Sequence, residues 1–121
     1  MENQEPSTTP DLPYEVEITD GIAVVRFRGE IDVLTAPAFQ SAIESASARD
    51  RSTALVVDMA GVTFLASAGL AVLARCSDDT DRSGRLLVVA QGPATLRPLE
   101  LTGLMESLEV FPSVEAALAT V

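Results

Sequence analysis

The chain contains no lysine, no histidine and no tryptophan, and it has a single cysteine, Cys76, in 121 residues. Each absence excludes some chemistry. Without histidine there is no Ser-His pair to activate a nucleophile. Without lysine there is neither a Schiff base nor a phosphate-loop ammonium. One thiol and no imidazole cannot build the usual zinc sites. A lone cysteine cannot close an internal disulfide, which fits a reducing compartment, and its expected role is apolar packing. Long hydrophobic runs are also missing: stretches such as 86–90 are far too short to cross a bilayer. The first residues are polar and acidic, unlike a secretory signal, so the expected location is the cytoplasm.

What is present is acidic. Eighteen carboxylates face eight basic residues, all arginine, for a formal net charge of −10. Such a chain is repelled by nucleic acid and by anionic membranes, and neither is expected as a partner. Hydrophobic residues make up 47%, enough for one packed core. The composition is that of a binding module rather than a catalyst. No catalytic residue, cofactor or metal site is expected. The segment Asp79-Thr80-Asp81-Arg82-Ser83-Gly84 resembles the first half of a calcium loop, but the twelfth position, which should be a glutamate, is Ala90.

Residues 1–12 hold two prolines, several acids and no apolar pattern; they read as a disordered tail, with one domain over 13–121. Tyr14, Val16 and Ile18 alternate with polar residues, and Asp20-Gly21 marks a two-residue hairpin turn before a strand over 22–28. That turn pairs Tyr14 with Phe27 and Val16 with Val25 on one side. On the other it pairs Glu15 with Arg26, as an outward ion pair. A helix over 37–49 follows, with Thr35 as its N-cap. Then come a buried strand over 54–57, a loop over 58–66, and a helix over 67–78. A strand over 85–90, a helix over 93–101, a strand over 107–110 and a last helix after Pro112 complete the chain. Strands alternating with helices imply parallel pairing. The expected fold is therefore α/β: one domain, a mixed sheet made of an antiparallel hairpin and then parallel strands, and about four helices.

Ser67 opens the third quarter of this pattern, at the start of a helix. Two readings stand. Ser67 is an ordinary helix cap, or it is a functional hydroxyl. On a helical wheel Leu70, Leu73, Ala74 and Ser77 face the sheet. Ala68, Val72, Arg75 and Asp79 face outward, as a small, partly apolar surface beside Ser67 that suits protein docking.

The segment from Val56 to Leu70 resembles the signature of the sulphate-transporter and anti-sigma-antagonist (STAS) domain family. Asp58 matches the aspartate that closes the family's strand, Ser67 the serine that partner kinases phosphorylate, and Gly69 and Leu70 the glycine and leucine that follow. Gly29-Glu30-Ile31-Asp32 is similar to an upstream family element, and Phe111-Pro112-Ser113-Val114 to the start of its closing helix. Ala66 and Ala68 depart from the pattern, which has aspartate before the serine and a hydroxyl residue after it. The resemblance implies an anti-sigma factor antagonist controlled at Ser67. Its partner would be an anti-sigma factor with serine-kinase activity, with a phosphatase to reset it and a monomer or weak dimer as the working form. The implied partner surface comprises Asp32, Glu30, Asp58, Ala66, Ala68, Gly69, Val72 and Arg75. Asp32 and Glu30 are expected on a loop at the same end of the sheet as Asp58 and Ser67. The other reading the resemblance allows is a non-switching scaffold or accessory subunit of a larger complex.

Overall fold

The computed structural model describes residues 11–49, 54–78 and 84–121. Residues 79–83 of the calcium-like segment, with Asp79, and nearly all of the expected tail lie outside them. The hairpin forms from β1 (Tyr14–Thr19) and β2 (Ile22–Ile31), in the register read from the turn: Tyr14 opposite Phe27, Glu15 opposite Arg26, Val16 opposite Val25. Asp20 and Gly21 both take positive φ, 53° and 80°, as a tight hairpin turn requires. The expected ion pair shifts by one step. Arg26 reaches diagonally to Glu17 on β1 and to Asp58 on the strand that flanks β2 on its other side, at 3.3 Å, rather than to Glu15.

Next come α1 (Ala36–Arg49), β3 (Ala54–Leu65), α2 (Ser67–Ser77), β4 (Arg85–Val89), α3 (Leu96–Leu101), β5 (Glu109–Phe111) and α4 (Val114–Leu118). A short 3₁₀ turn, Leu104–Glu106, lies between α3 and β5. The sheet order is β1-β2-β3-β4-β5, with β1 antiparallel and all later pairs parallel.

Strand alternation divides the core in two. Val25, Phe27, Leu55, Val57 and Val88 face α1, α2 and α3, meeting Phe39, Ile43, Leu73 and Leu99. Phe27 and Phe39 pack edge to face, with ring centroids 4.8 Å apart. Ile22, Val24, Val56, Leu87 and Val89 face the other way, where Ala117 of α4 covers them. Arg85 at the start of β4 bonds Glu109 of β5 through Nε (3.0 Å) and donates through Nη1 to the Thr120 carbonyl (3.0 Å), fastening the C-terminus. This guanidinium holds the Glu109 carboxyl below its ordinary value.

Several boundaries differ from the sequence reading. α3 begins at Leu96 rather than 93, and β5 spans Glu109–Phe111 rather than 107–110. Leu12, placed in the tail, is buried in the main core. β2 continues three residues past Arg28. The stretch expected as a loop over 58–66 is mostly strand: β3 runs on to Leu65 and pairs with the β2 extension, Arg28 with Gly61 and Ile31 with Leu65. The reason is a pair of register shifts, after Arg26 and after Gly29. Met59, Val62 and Leu65 are consequently the buried apolar residues of this stretch, a spacing of three that hides the strand period of two. Gly61 lets the strands close here: a Cβ would lie 2.9 Å from Arg28 Cγ and 3.0 Å from the Phe27 carbonyl oxygen.

Candidate functional site

The two long parallel strands, β2 and β3, end side by side, and the chain leaves each of them into a helix. At β2 it turns through Asp32-Val33-Leu34-Thr35. Asp32 Oδ1 accepts the backbone N–H groups of Leu34 and Thr35, both at 3.0 Å. The Thr35 hydroxyl accepts from Asp32 N (2.9 Å) and donates to the Glu30 carbonyl (2.8 Å). Thr35 does stand just before α1, but its hydroxyl locks the turn and does not cap a helix N–H. The N–H donors, first that of Thr35 and then that of Leu34, favour the ionised form and hold the Asp32 carboxyl below its ordinary value.

At β3 the chain passes directly from Leu65 through Ala66 into α2. Ala66 N donates to the Ile31 carbonyl at 2.8 Å, so the two strand ends are stitched together. Ala66, with φ −86° and ψ 172°, occupies the N-cap position and has no side chain that can cap. Ser67 is therefore the first helical residue and not the cap. It is exposed, and its hydroxyl has no hydrogen-bond partner among the described residues. Gly69 lies two residues on, buried against Ile31. A Cβ there would come within 2.6 Å of Ile31 Cγ2 and 2.7 Å of Leu65 Cδ1. Only a residue without a side chain lets α2 start this close to both strands.

The expected partner surface is brought together in part. Ser67, Ala66, Ala68, Asp32 and Glu30 gather at this end of the sheet. Glu30 is exposed but belongs to β2, not to a loop. Arg75 is exposed two turns along α2, where Nη2 donates to Gln40 Oε1 of α1 at 2.8 Å. Three residues fall elsewhere. Val72, read as outward, is 1% exposed, because α2 packs against α1 as well as the sheet and its apolar stripe is wider than one partner would need. Gly69 is buried beneath the helix. Asp58 sits in the middle of β3, buried on the α4 side with Arg26, its Oδ1 accepting from Ala60 N at 2.9 Å. Six residues of strand separate it from Leu65, roughly 20 Å along the sheet.

The sequence reading missed three apolar side chains on the rim. Val33, Leu34 and Phe64 are 73%, 60% and 50% exposed. Val33 and Leu34 follow Asp32 in the turn, and Phe64 is opposite Glu30 in the sheet. The signal was available: two adjacent branched apolar residues in a segment with no helix or strand period have no core to enter.

An exposed hydroxyl on an uncapped helix start thus lies at the same end of the sheet as three exposed apolar side chains and two carboxylates. The chain belongs to the STAS domain family, whose model matches residues 13–117. Over 115 residues it is 42% identical to the anti-sigma-F factor antagonist RsfB of Mycobacterium tuberculosis, covering 94% of this chain and 93% of that protein. It is 29% identical over 117 residues to the anti-sigma-F factor antagonist RsfA of the same organism, covering 93% and 91%. The crystal structure of an anti-sigma factor antagonist from Mycobacterium paratuberculosis superposes with a TM-score of 0.83 at 43% identity, covering 91% of this chain and 93% of that one. The chain is thus a regulatory binding domain and not an enzyme. Among the described residues no helix is long and apolar enough to cross a membrane.

Proposed function

We propose that this chain is an anti-sigma factor antagonist switched at Ser67. Unmodified, it binds an anti-sigma factor through the rim around Ser67 and so frees the sigma factor. The anti-sigma factor, acting as a serine kinase, phosphorylates Ser67 and is released, and a phosphatase restores the binding form. The relatives named above support the antagonist reading. The switch rests on one observation: the Ser67 hydroxyl is exposed and unpartnered on the first turn of a helix that has no side-chain cap. Ala66 and Ala68 leave it as the single acceptor hydroxyl of that turn.

The physics of the switch is local. A phosphate on Ser67 adds roughly −1.5 to −2 charges beside free helix N–H groups, whose partial positive charge tolerates it, so the fold persists. A partner pressed onto Val33, Leu34 and Phe64 has to bury that charge. Among the described residues no arginine of this rim is placed to pair with it: Arg75 lies two turns away and is bonded to Gln40. Glu30 and Asp32 add like charge. Burying an unpaired phosphate costs several kcal/mol, and about 2.7 kcal/mol already corresponds to a hundredfold loss of affinity.

The test is titration of a kinase-type anti-sigma factor with wild type, Ser67→Ala and Ser67→Asp, together with mass spectrometry after incubation with ATP. Ser67→Ala should bind like wild type and accept no phosphate. Ser67→Asp should bind about a hundredfold more weakly, with a nearly unchanged thermal midpoint. Equal binding by all three, or phosphate found on another residue, refutes the switch.

A further inference from the structure

The outer edge of β1 is the least covered part of the sheet. Arg28 N donates to the Pro13 carbonyl at 3.0 Å, and antiparallel alternation from that pair turns residues 15, 17 and 19 toward β2. The N–H and C=O groups of Tyr14, Val16 and Ile18 therefore point away from the sheet. Their side chains, 47%, 36% and 61% exposed, form an apolar row on the face that α1 covers only further in. On the opposite face the charges are unbalanced. Among the described residues Arg26 alone answers three carboxylates, bonding Glu17 and Asp58 and facing Glu15 across the hairpin. Arg28, further along and opposite Pro13, joins none of these contacts.

We propose that this edge is a docking site for an extended segment of another protein whose residues alternate apolar and basic. Added as a sixth strand, such a segment would take the free backbone groups of Tyr14, Val16 and Ile18. Its apolar residues would lie on that row, and its arginines or lysines would meet Glu15 and Glu17. A second copy of this chain does not fit. Antiparallel pairing of β1 with itself that keeps the apolar row together sets Glu15 against Glu17 of the other copy, twice, and opposed like charges destabilise a sheet. The residues before Leu12 do not fit either, since they carry three acids and no base. The proposal is independent of Ser67.

The probe is a blocked synthetic peptide of alternating arginine and valine. The control has the same composition with the two residue types in separate blocks. Titration by fluorescence anisotropy is read together with amide hydrogen exchange. The alternating peptide should bind at least tenfold more tightly than the block peptide and slow exchange at Val16 and Ile18. Val16→Pro removes an outward N–H without touching the hairpin ladder and should lose this binding at least tenfold. Should Val16→Pro disturb the hairpin, Glu15→Arg decides: it should weaken the arginine peptide and favour one of alternating glutamate and valine. Equal affinity for both arginine peptides, or unchanged exchange at Val16 and Ile18, overturns the proposal and leaves the acids of β1 as guards against edge pairing.

Discussion

Two helices begin side by side at one end of this sheet, and they begin differently. The turn before α1 is closed from within: Asp32 accepts two backbone N–H groups and Thr35 bonds on both sides of the turn. α2 starts at an alanine, with no side chain to satisfy its first N–H groups. α4, on the far side of the sheet, is capped as α1 is not, by Ser113 Oγ accepting from Ala116 N at 3.1 Å. So the chain uses polar residues where it needs to hold a turn, and omits them at the one long helix start that exposes a serine. An uncapped start is weaker by about 1 kcal/mol, but it remains receptive to an anion supplied later. In this molecule the rigid turn and the receptive one are joined through Ile31, which bonds Ala66 N and abuts Gly69.

Four substitutions or conditions probe that contrast, in falling order of effect. Gly69→Ala strikes the joint. Its new methyl overlaps Ile31 and Leu65, so it should destabilise by about 1–3 kcal/mol in chemical denaturation and shift the first turn of α2. A neutral result would mean that the close approach is not needed. Thr35→Val opens the rigid turn. It leaves the Glu30 carbonyl without its side-chain donor and should lower stability by about 1–2 kcal/mol, read from the urea midpoint. Ala66→Asp goes the other way and makes α2 resemble a capped helix. Stability should rise by about 1 kcal/mol, a few degrees in the thermal midpoint, because Ala66 already has the extended backbone of an N-cap. The smallest effect is in acid. The lowered carboxyls of Asp32 and Glu109 stabilise the fold fully above their unfolded values, near 4, and that contribution disappears as pH falls through the lower folded values. Asp32→Asn should flatten part of this acid limb in melts between about pH 5 and 2, and an unchanged limb would show that the turn does not hold Asp32 as described.

Much of the fold is legible in particular residues. Asp20-Gly21 and the alternation around it fix the hairpin register to the residue. The continuous apolar run at 54–57 and the run at 85–90 are strands buried on both faces, and the covering α1–α3 and α4 follow from alternation of faces. The far half of β3 was not legible, because two register shifts change its burial period from two to three. The placement of Ser67 at a helix start and of Asp32 in the turn before α1 was legible, through residue type and local pattern. Val72 was misplaced because a helical wheel knows of one packing surface, and α2 has two. Asp58 was misplaced because the strand it was thought to close runs on for seven more residues. β1 presents Tyr14, Val16 and Ile18 to solvent, since alternation says which residues share a face but not whether a helix covers it.

By itself, the sequence determined element type, hairpin register and the absence of the groups that most catalysis requires, because these depend on neighbours in the chain and on composition. The tertiary structure alone decided which apolar faces are covered, where β2 and β3 end, and that an uncapped serine stands beside an exposed apolar rim. Those features depend on which strands and helices meet across the sheet, and contacts between residues distant in sequence leave no local period to read.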